Sequence, residues 1–449
     1  MHVIIIGNGI SGITAARFIR KLSDHKITVI SSESEHFYSR TALMYIYMGH
    51  MRYEDTKPYE DWFWEKNRID LVFDHVSHVD TERKSLTLKS SSRSYDKLII
   101  ASGSKSNKFG WPGQDLKAVA GLYNLQDLEE MERYSGGLKR AVIVGGGLIG
   151  IEMAEMFHSR NIAVTMLVRE SSYWNNVLPA EEADMITKHI LEHHIDLRLE
   201  KNLDCIIDNG NGIAAGVIVK ETGEKIECGF VGLTPGVSPN IDFIKESGIE
   251  LGRGIKVNEY METSVADIYA IGDCAERITP VPGRRGIEAV WYTGRMMGET
   301  VAYNICNKRI EYKPGIWFNS AKFIDIEYQV YGTVMNDPPE NHASLFWKHP
   351  EERHSVRIVY DRDSKEILGF NLLGIRYRHE VCEKWIKEKA HVETVLQDLS
   401  MANFDPEFYK EYEADIINQY NVESGSHLKL RKKRGLASVF SFLKSHKPA

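Results

Sequence analysis

The apolar run at residues 3–6 leads directly into Gly7, Gly9 and Gly12 and then into a stretch with helical periodicity at Ile13, Ala16 and Ile19. No other feature restricts the chain as strongly. A short, uninterrupted apolar run reads as a fully buried parallel strand, the glycines as a tight turn, and the rest as a helix. The same grammar returns 138 positions later, where residues 141–144 precede Gly145, Gly147, Gly150 and the helical IEMAEMFHSR. Each turn is followed by a second strand, KITVIS in the first case and AVTMLV in the second. Two βαβ units of dinucleotide-binding type are therefore expected, in an α/β fold. Glycine is needed because the backbone must turn sharply and admit a pyrophosphate to the free N–H groups of the helix end.

Lys plus Arg number 56 against 63 Asp plus Glu in 449 residues, a net charge of −7, which argues against a dedicated nucleic-acid binder. No window approaches the roughly 18 apolar residues of a membrane span, and the opening apolar run is too short for a signal-peptide core, so the chain reads as cytoplasmic. Five cysteines, Cys205, Cys228, Cys274, Cys306 and Cys382, form no closely spaced pair, and the first 204 residues hold none. This fits a reducing compartment rather than a disulfide framework.

An acidic residue about 20 positions beyond the glycines usually holds the adenosine ribose. Glu33 is the best candidate, with Ser31, Ser32 and Glu35 nearby. In the second unit the strand ends at Val168, and Arg169 follows where an NAD-selective site places a carboxylate. An arginine there suits a 2′-phosphate, but Glu170 is adjacent, so NADPH and NADH both stay open with the balance toward NADPH. Alternating patterns at 70–100 read as antiparallel strands or a hairpin, and 203–233 as a meander. LTPGVSPN at 233–240 reads as a crossover between domains. Antiparallel strands are expected again at 316–375, then charged helices at 378–420.

The motifs GNGISG, LIIASG, GGGLIG with Glu152, and TSVADIYAIGDCA occur in this order over about 300 residues. Together they resemble the FAD-dependent pyridine nucleotide-disulfide oxidoreductase superfamily. The resemblance implies two Rossmann-like domains, for FAD and NAD(P), and a C-terminal α+β interface domain. The implied boundaries are 1–118 and 239–315 for FAD, 119–238 for NAD(P), 316–423 for the interface domain, and 424–449 for a basic tail.

It also implies roles for particular residues. Ala101-Ser102-Gly103 would form the turn at the exit of the FAD domain, and Asp273, after Gly272, would bind the ribityl chain. FYSRTAL at 37–43 is similar to the FAD-holding segment of rubredoxin reductases, ferredoxin reductases and nitrite reductase flavin domains, with Arg40 facing the pyrophosphate. Those relatives commonly carry a lysine five positions on, near the glutamate matching Glu152. This chain has Tyr45, and a hydrogen bond from Tyr45 to Glu152 is expected in its place. Ile10, Ser11, Val76, Leu148, Ile149, Gly236, Val290 and Trp291 complete the expected cofactor contacts. A helix starting near 286–291 would point its N-terminus at the flavin's carbonyl edge.

The disulfide-reducing branch needs a thiolate at the flavin face after the first unit, and no cysteine is present there. The expectation is thus an FAD-dependent NAD(P)H oxidoreductase in which Glu152 aligns the rings and hydride passes directly. Electrons would go on to a small redox protein such as a rubredoxin or ferredoxin, or to a nitrite-type oxidant. The resemblance is compatible with a homodimer. Two alternatives remain at this point. From Ser424 to Ala449 there are seven cations and no acid, with Leu436, Val439, Phe440 and Leu443 on one helical face. That pattern suits either a solubilising end or a helix on an anionic membrane surface, the latter favouring a quinone acceptor. The other alternative is a non-catalytic flavin- or nucleotide-sensing protein. His189, His193 and His194 have helical spacing but no neighbouring cysteine, and read as a solvated face without metal.

Overall fold

The computed structural model describes residues 1–351, 353–405, 407 and 410–431. It divides into two compact units. The first is Met1–Trp174 with Lys188–Pro314, and the second is Asn175–Thr187 with the described residues from Gly315 on.

The first unit contains two five-stranded parallel sheets. In one, the strand order is Ile268–Ala270, Lys97–Ile100, His2–Ile6, Lys26–Ser31, Ile69–Phe73. The central strand is apolar because it is covered on both faces, as parallel sheets require. Helix α1 (Ile10–Leu22) follows the first glycine turn, and the short α2 (Leu43–Tyr47) follows the FYSRTAL segment. The other sheet runs Asp196–Leu199, Ala163–Val168, Arg140–Val144, Phe230–Leu233, Val119–Ala120. Its helices include α3 (Leu125–Ser135) and α4 (Leu148–Ser159), which follows the second glycine turn; α5 (Ala180–Glu192) is divided after Thr187 between the two units. Helix α6 (Trp291–Ile305) returns to lie on α1. The approach is close because Gly298 faces the Ser11 carbonyl and a methyl group on Gly294 would stand 2.5 Å from Ser11 Oγ.

The expectation for 70–100 needs correction. Ile69–Phe73 pairs in parallel with Lys26–Ser31, and only Val76–Asp80, Ser85–Leu88 and Ser92–Ser94 form an antiparallel sheet. An edge strand has one exposed side, so its alternation imitates that of a hairpin. Likewise Leu203–Asp208, Ala214–Val219 and Lys225–Glu227 form the meander, while Phe230–Leu233 joins the parallel sheet. The two chain crossings between the sheets run side by side, Ser104–Ser106 paired antiparallel with Val237–Pro239.

The second unit is built on a five-stranded antiparallel sheet, ordered Phe318–Phe323, Ile326–Gly332, Ile367–Leu373, Ser355–Asp361, His342–Lys348. Helices His379–Lys387, Val392–Gln397 and Glu413–Ser424 contribute to its core. Residues 175–187, which the sequence places in the 119–238 segment, fall in this unit. The cause is a buried ion pair: Arg357 Nε and Nη2 donate to the two Glu182 carboxylate oxygens, each at 2.7 Å, and Nη2 also donates to Glu181 at 2.8 Å. A buried guanidinium needs such compensation, which the start of α5 supplies together with the Ser344 hydroxyl, accepting from Nη1 at 3.0 Å.

Candidate active site

The six glycines of the two turns divide into two kinds. A methyl group on Gly7, whose φ is +109°, would collide with the Ala101 carbonyl, and one on Gly12 would collide with the Gly7 carbonyl. In the second turn, Gly145 is crowded by Thr234, and Gly150 by the Gly145 carbonyl at 2.5 Å. These four are glycine for reasons of packing. Gly9 and Gly147 are different: each is the N-cap of its helix, offers no capping side chain, and would meet nothing within 4 Å if it carried a methyl group. Free helix amides beside open space are what a pyrophosphate requires, so both turns fit a dinucleotide. Ile10 and Ser11 start α1, and Leu148 and Ile149 start α4.

Beside the first turn, a connected polar network joins residues that the sequence singles out separately. Glu33 and Arg40 form a two-pronged ion pair, at 2.6 and 3.1 Å. Tyr38 donates its hydroxyl hydrogen bond to Glu33, and the Leu125 N–H donates to the same carboxylate at 3.2 Å. Arg40 also donates to the Tyr123 carbonyl and stands 4.5 Å above the Tyr123 ring. The Tyr123 hydroxyl donates to Asp273 at 3.1 Å and accepts the Ser104 N–H at 2.8 Å. Burial raises the Asp273 carboxyl above its ordinary value, against the Tyr123 hydrogen bond and the Arg40 charge.

Ser102 Oγ donates to the Asn240 carbonyl at 2.7 Å, and the Asn240 N–H donates to Gly103 at 2.9 Å. The Ala101-Ser102-Gly103 turn is thereby tied to the return crossing, where Gly236 accepts the Asn107 N–H at 3.0 Å. Val76 is buried in the three-stranded antiparallel sheet opposite Leu88. The sequence reading missed Tyr123. Its only signal was an aromatic residue in the connection entering the second sheet.

Glu152 lies half-buried on the second turn of α4. Burial, reinforced by the Glu155 carboxylate one turn on, pushes its carboxyl up to about 7. Among the described residues the expected Tyr45–Glu152 hydrogen bond is not made; the Tyr45 ring instead stacks on His50 with centroids 6.1 Å apart. Helix α2 is nonetheless fixed against α3 and α4. Arg160 Nε donates to the Tyr47 carbonyl at 3.0 Å, its guanidinium stacks 3.5 Å from the Tyr47 ring, and Nη1 pairs with Glu132 at 2.8 Å. Tyr173 donates its hydroxyl to the Gly147 carbonyl at 2.7 Å, bracing the second turn.

Helix α6 begins at Trp291, with Val290 in extended conformation as its N-cap. Trp291 is partly exposed and meets Tyr292 edge to face at 5.4 Å. The Arg169 side chain is 75% exposed and its Nε donates to Glu170 at 2.8 Å. Glu170 is the more buried partner, and its carboxylate would lie 3.6 Å from a methyl group on Gly146. Cys274 is fully buried with its thiol pushed up by that burial, and Sγ donates to the Ile271 carbonyl at 3.3 Å. His189 is buried rather than solvated, edge to face with His193 at 4.4 Å. Of the basic tail, residues 432–449 lie outside the described residues. Arg431 is engaged with Asp398 at 2.7 Å.

The family model of the pyridine nucleotide-disulphide oxidoreductases matches residues 1–298. The chain is 29% identical over 387 residues to the NADH-rubredoxin oxidoreductase of Clostridium acetobutylicum, covering 84% of this chain and 94% of that protein. It is 28% identical over 342 residues to the assimilatory nitrate reductase electron transfer subunit of Bacillus subtilis, covering 75% of this chain. The match spans only 43% of the length of that second relative. Among solved structures, the crystal structure of the Clostridium acetobutylicum NADH:rubredoxin oxidoreductase is similar with a TM-score of 0.70 and 25% identity, over 93% of this chain and 99% of that one.

Proposed function

The chain belongs to the pyridine nucleotide-disulphide oxidoreductases, and from that premise we propose that it is an FAD-dependent NAD(P)H oxidoreductase that passes electrons to a small redox protein or a small oxidant. The observation carrying this reading is the pair of helix N-caps, Gly9 and Gly147, open where the fold itself does not need glycine. Gly9, Arg40 and Asp273 would hold FAD, and Gly147 the nicotinamide dinucleotide. FAD, when bound, supplies a two-electron acceptor that also gives electrons up singly. The chain's own contribution is binding and orientation. Glu152, whose carboxyl burial raises to about 7, would stand where the nicotinamide meets its partner ring and align the two. The N-terminus of α6, which begins at Trp291, would offer partial positive charge to a reduced ring. Cys274, buried and with a raised thiol, takes no part.

We further propose NADH as the preferred reductant. The Glu170 carboxylate stands 3.6 Å from a methyl group built on Gly146 of the glycine turn, where it would accept ribose hydroxyls and repel a 2′-phosphate. The acceptor follows from what the relatives' names say of those proteins, a rubredoxin in one case and a nitrate reductase system in the other. A peripheral attachment is a secondary reading. It is supported by the acid-free stretch with seven cations from Ser424 to Ala449, one of which, Arg431, is occupied by Asp398. No helix among the described residues is long and apolar enough to cross a membrane.

The test is steady-state oxidation of NADH and NADPH by the FAD-loaded protein with rubredoxin, ferredoxin, nitrite and a soluble quinone. Preference for NADH with one protein or small oxidant supports the reading. Turnover only with the quinone, together with sedimentation on anionic vesicles, would replace it by the membrane reading.

A further inference from the structure

We propose that Tyr123 is a positioning residue of the flavin site, orienting the Asp273 carboxylate through its hydroxyl and the Arg40 guanidinium through its ring and carbonyl. The inference rests on the reading of this region as an FAD site.

Three segments far apart in sequence meet on this one side chain. The hydroxyl accepts the Ser104 N–H at 2.8 Å, which leaves its proton aimed at Asp273 Oδ2, 3.1 Å away. A hydroxyl fixed as acceptor on one side donates on the other, so one Asp273 oxygen is committed and the second is held in a defined direction. Gly103, with φ of +67°, leaves room for this contact: a methyl group there would stand 2.9 Å from the Tyr123 hydroxyl oxygen. On the opposite side the ring lies 4.5 Å below the Arg40 guanidinium, and the Tyr123 carbonyl accepts from Arg40 Nη1. Glu33 takes the other edge of that guanidinium.

The Tyr123 backbone is itself fixed, its N–H donating to Asp127 at 2.7 Å at the head of α3. Asp127 also caps α3, through the reciprocal bonds it makes with Asn124. The chain thus enters the second sheet through a residue that grips both polar groups expected to hold FAD. Two of these four contacts, from the Ser104 N–H and to Asp273, belong to the hydroxyl, and a phenylalanine in the same place could make neither.

The test is a double-mutant cycle on FAD affinity, using Tyr123→Phe, Asp273→Asn and both together, with the apoprotein's unfolding temperature measured for each. Tyr123→Phe keeps the ring under Arg40 and removes only the hydroxyl. The dissociation constant for FAD is expected to rise about tenfold in Tyr123→Phe, as for loss of a hydrogen bond to a charged group, and less than about twofold when the same change is made on the Asp273→Asn background. Equal factors on both backgrounds, or no change in the first, overturn the proposal. If the Phe variant does not fold, Tyr123→Met takes its place in the same cycle. Failure of the wild-type protein to bind FAD at all would instead sink the functional reading above, and the two failures are told apart by that single titration.

Discussion

Gly7 and Ala101 come so close that a methyl group on Gly7 would collide with the Ala101 carbonyl oxygen, whereas one on Gly9, two residues on, would meet nothing. The first glycine serves the fold and the second serves whatever the turn holds. Gly7→Ala, which also forces alanine to φ of +109°, is expected to cost about 1–3 kcal/mol of stability or more. Gly9→Ala is expected to leave the unfolding temperature within about 2 °C of wild type while weakening FAD binding by about tenfold or more. Thermal melts of the apoproteins beside flavin titrations check both.

The raised Glu152 carboxyl has a consequence for stability. A carboxyl that titrates near 7 when folded and near 4.5 when unfolded binds more protons in the folded state between those values. Stability therefore falls as pH rises from about 4.5 to about 7, and the loss is constant above that. Glu152→Gln removes the titration, so its stability advantage over wild type should be absent near pH 4.5, grow up to pH 7 and then level. Urea melts across this range provide the measurement, and an advantage independent of pH would contradict the assignment.

Replacing Glu170 by Gln while keeping Arg169 removes the negative charge over Gly146. The ratio of kcat/KM for NADPH to that for NADH is expected to rise at least about tenfold. The variant Arg169→Gln, which alters an exposed side chain, should shift that ratio by less than about threefold.

Glu182→Ala leaves the buried Arg357 guanidinium with Glu181 as its remaining carboxylate partner. Loss of about 3 kcal/mol is expected. Hydrogen exchange of the strand Ser355–Asp361 should rise more than that of His2–Ile6, because the pair belongs to the second unit.

Much of this architecture is legible in the sequence because its signals are local. The apolar run before Gly7 and the periodicity after Gly12 announce strand, turn and helix within 22 residues, and Gly145 repeats the announcement. What escapes the sequence is non-local. Tyr123 acquires its role from Arg40, 83 positions before it, and Asp273, 150 positions after it. The first half of α5 carries no local sign that Arg357 will draw it into the second unit, since its partner lies 175 positions away. At Arg169 and Glu170 the order of residue types was visible, but which side chain turns toward the glycines depends on their mutual ion pair and on Gly146. Tyr45 was visible as a departure from its relatives, yet its neighbour His50, five positions on, and not Glu152, is its partner.

The most direct test of the central claim is anaerobic stopped-flow reduction of the FAD-loaded protein by NADH and by NADPH, followed at the flavin absorbance band. The account predicts rapid bleaching by NADH, at rates within the usual enzymatic range of about 1–1,000 per second, and slower bleaching by NADPH. Slow bleaching by both, with FAD firmly bound, would contradict an oxidoreductase and leave a nucleotide-sensing protein as the better description.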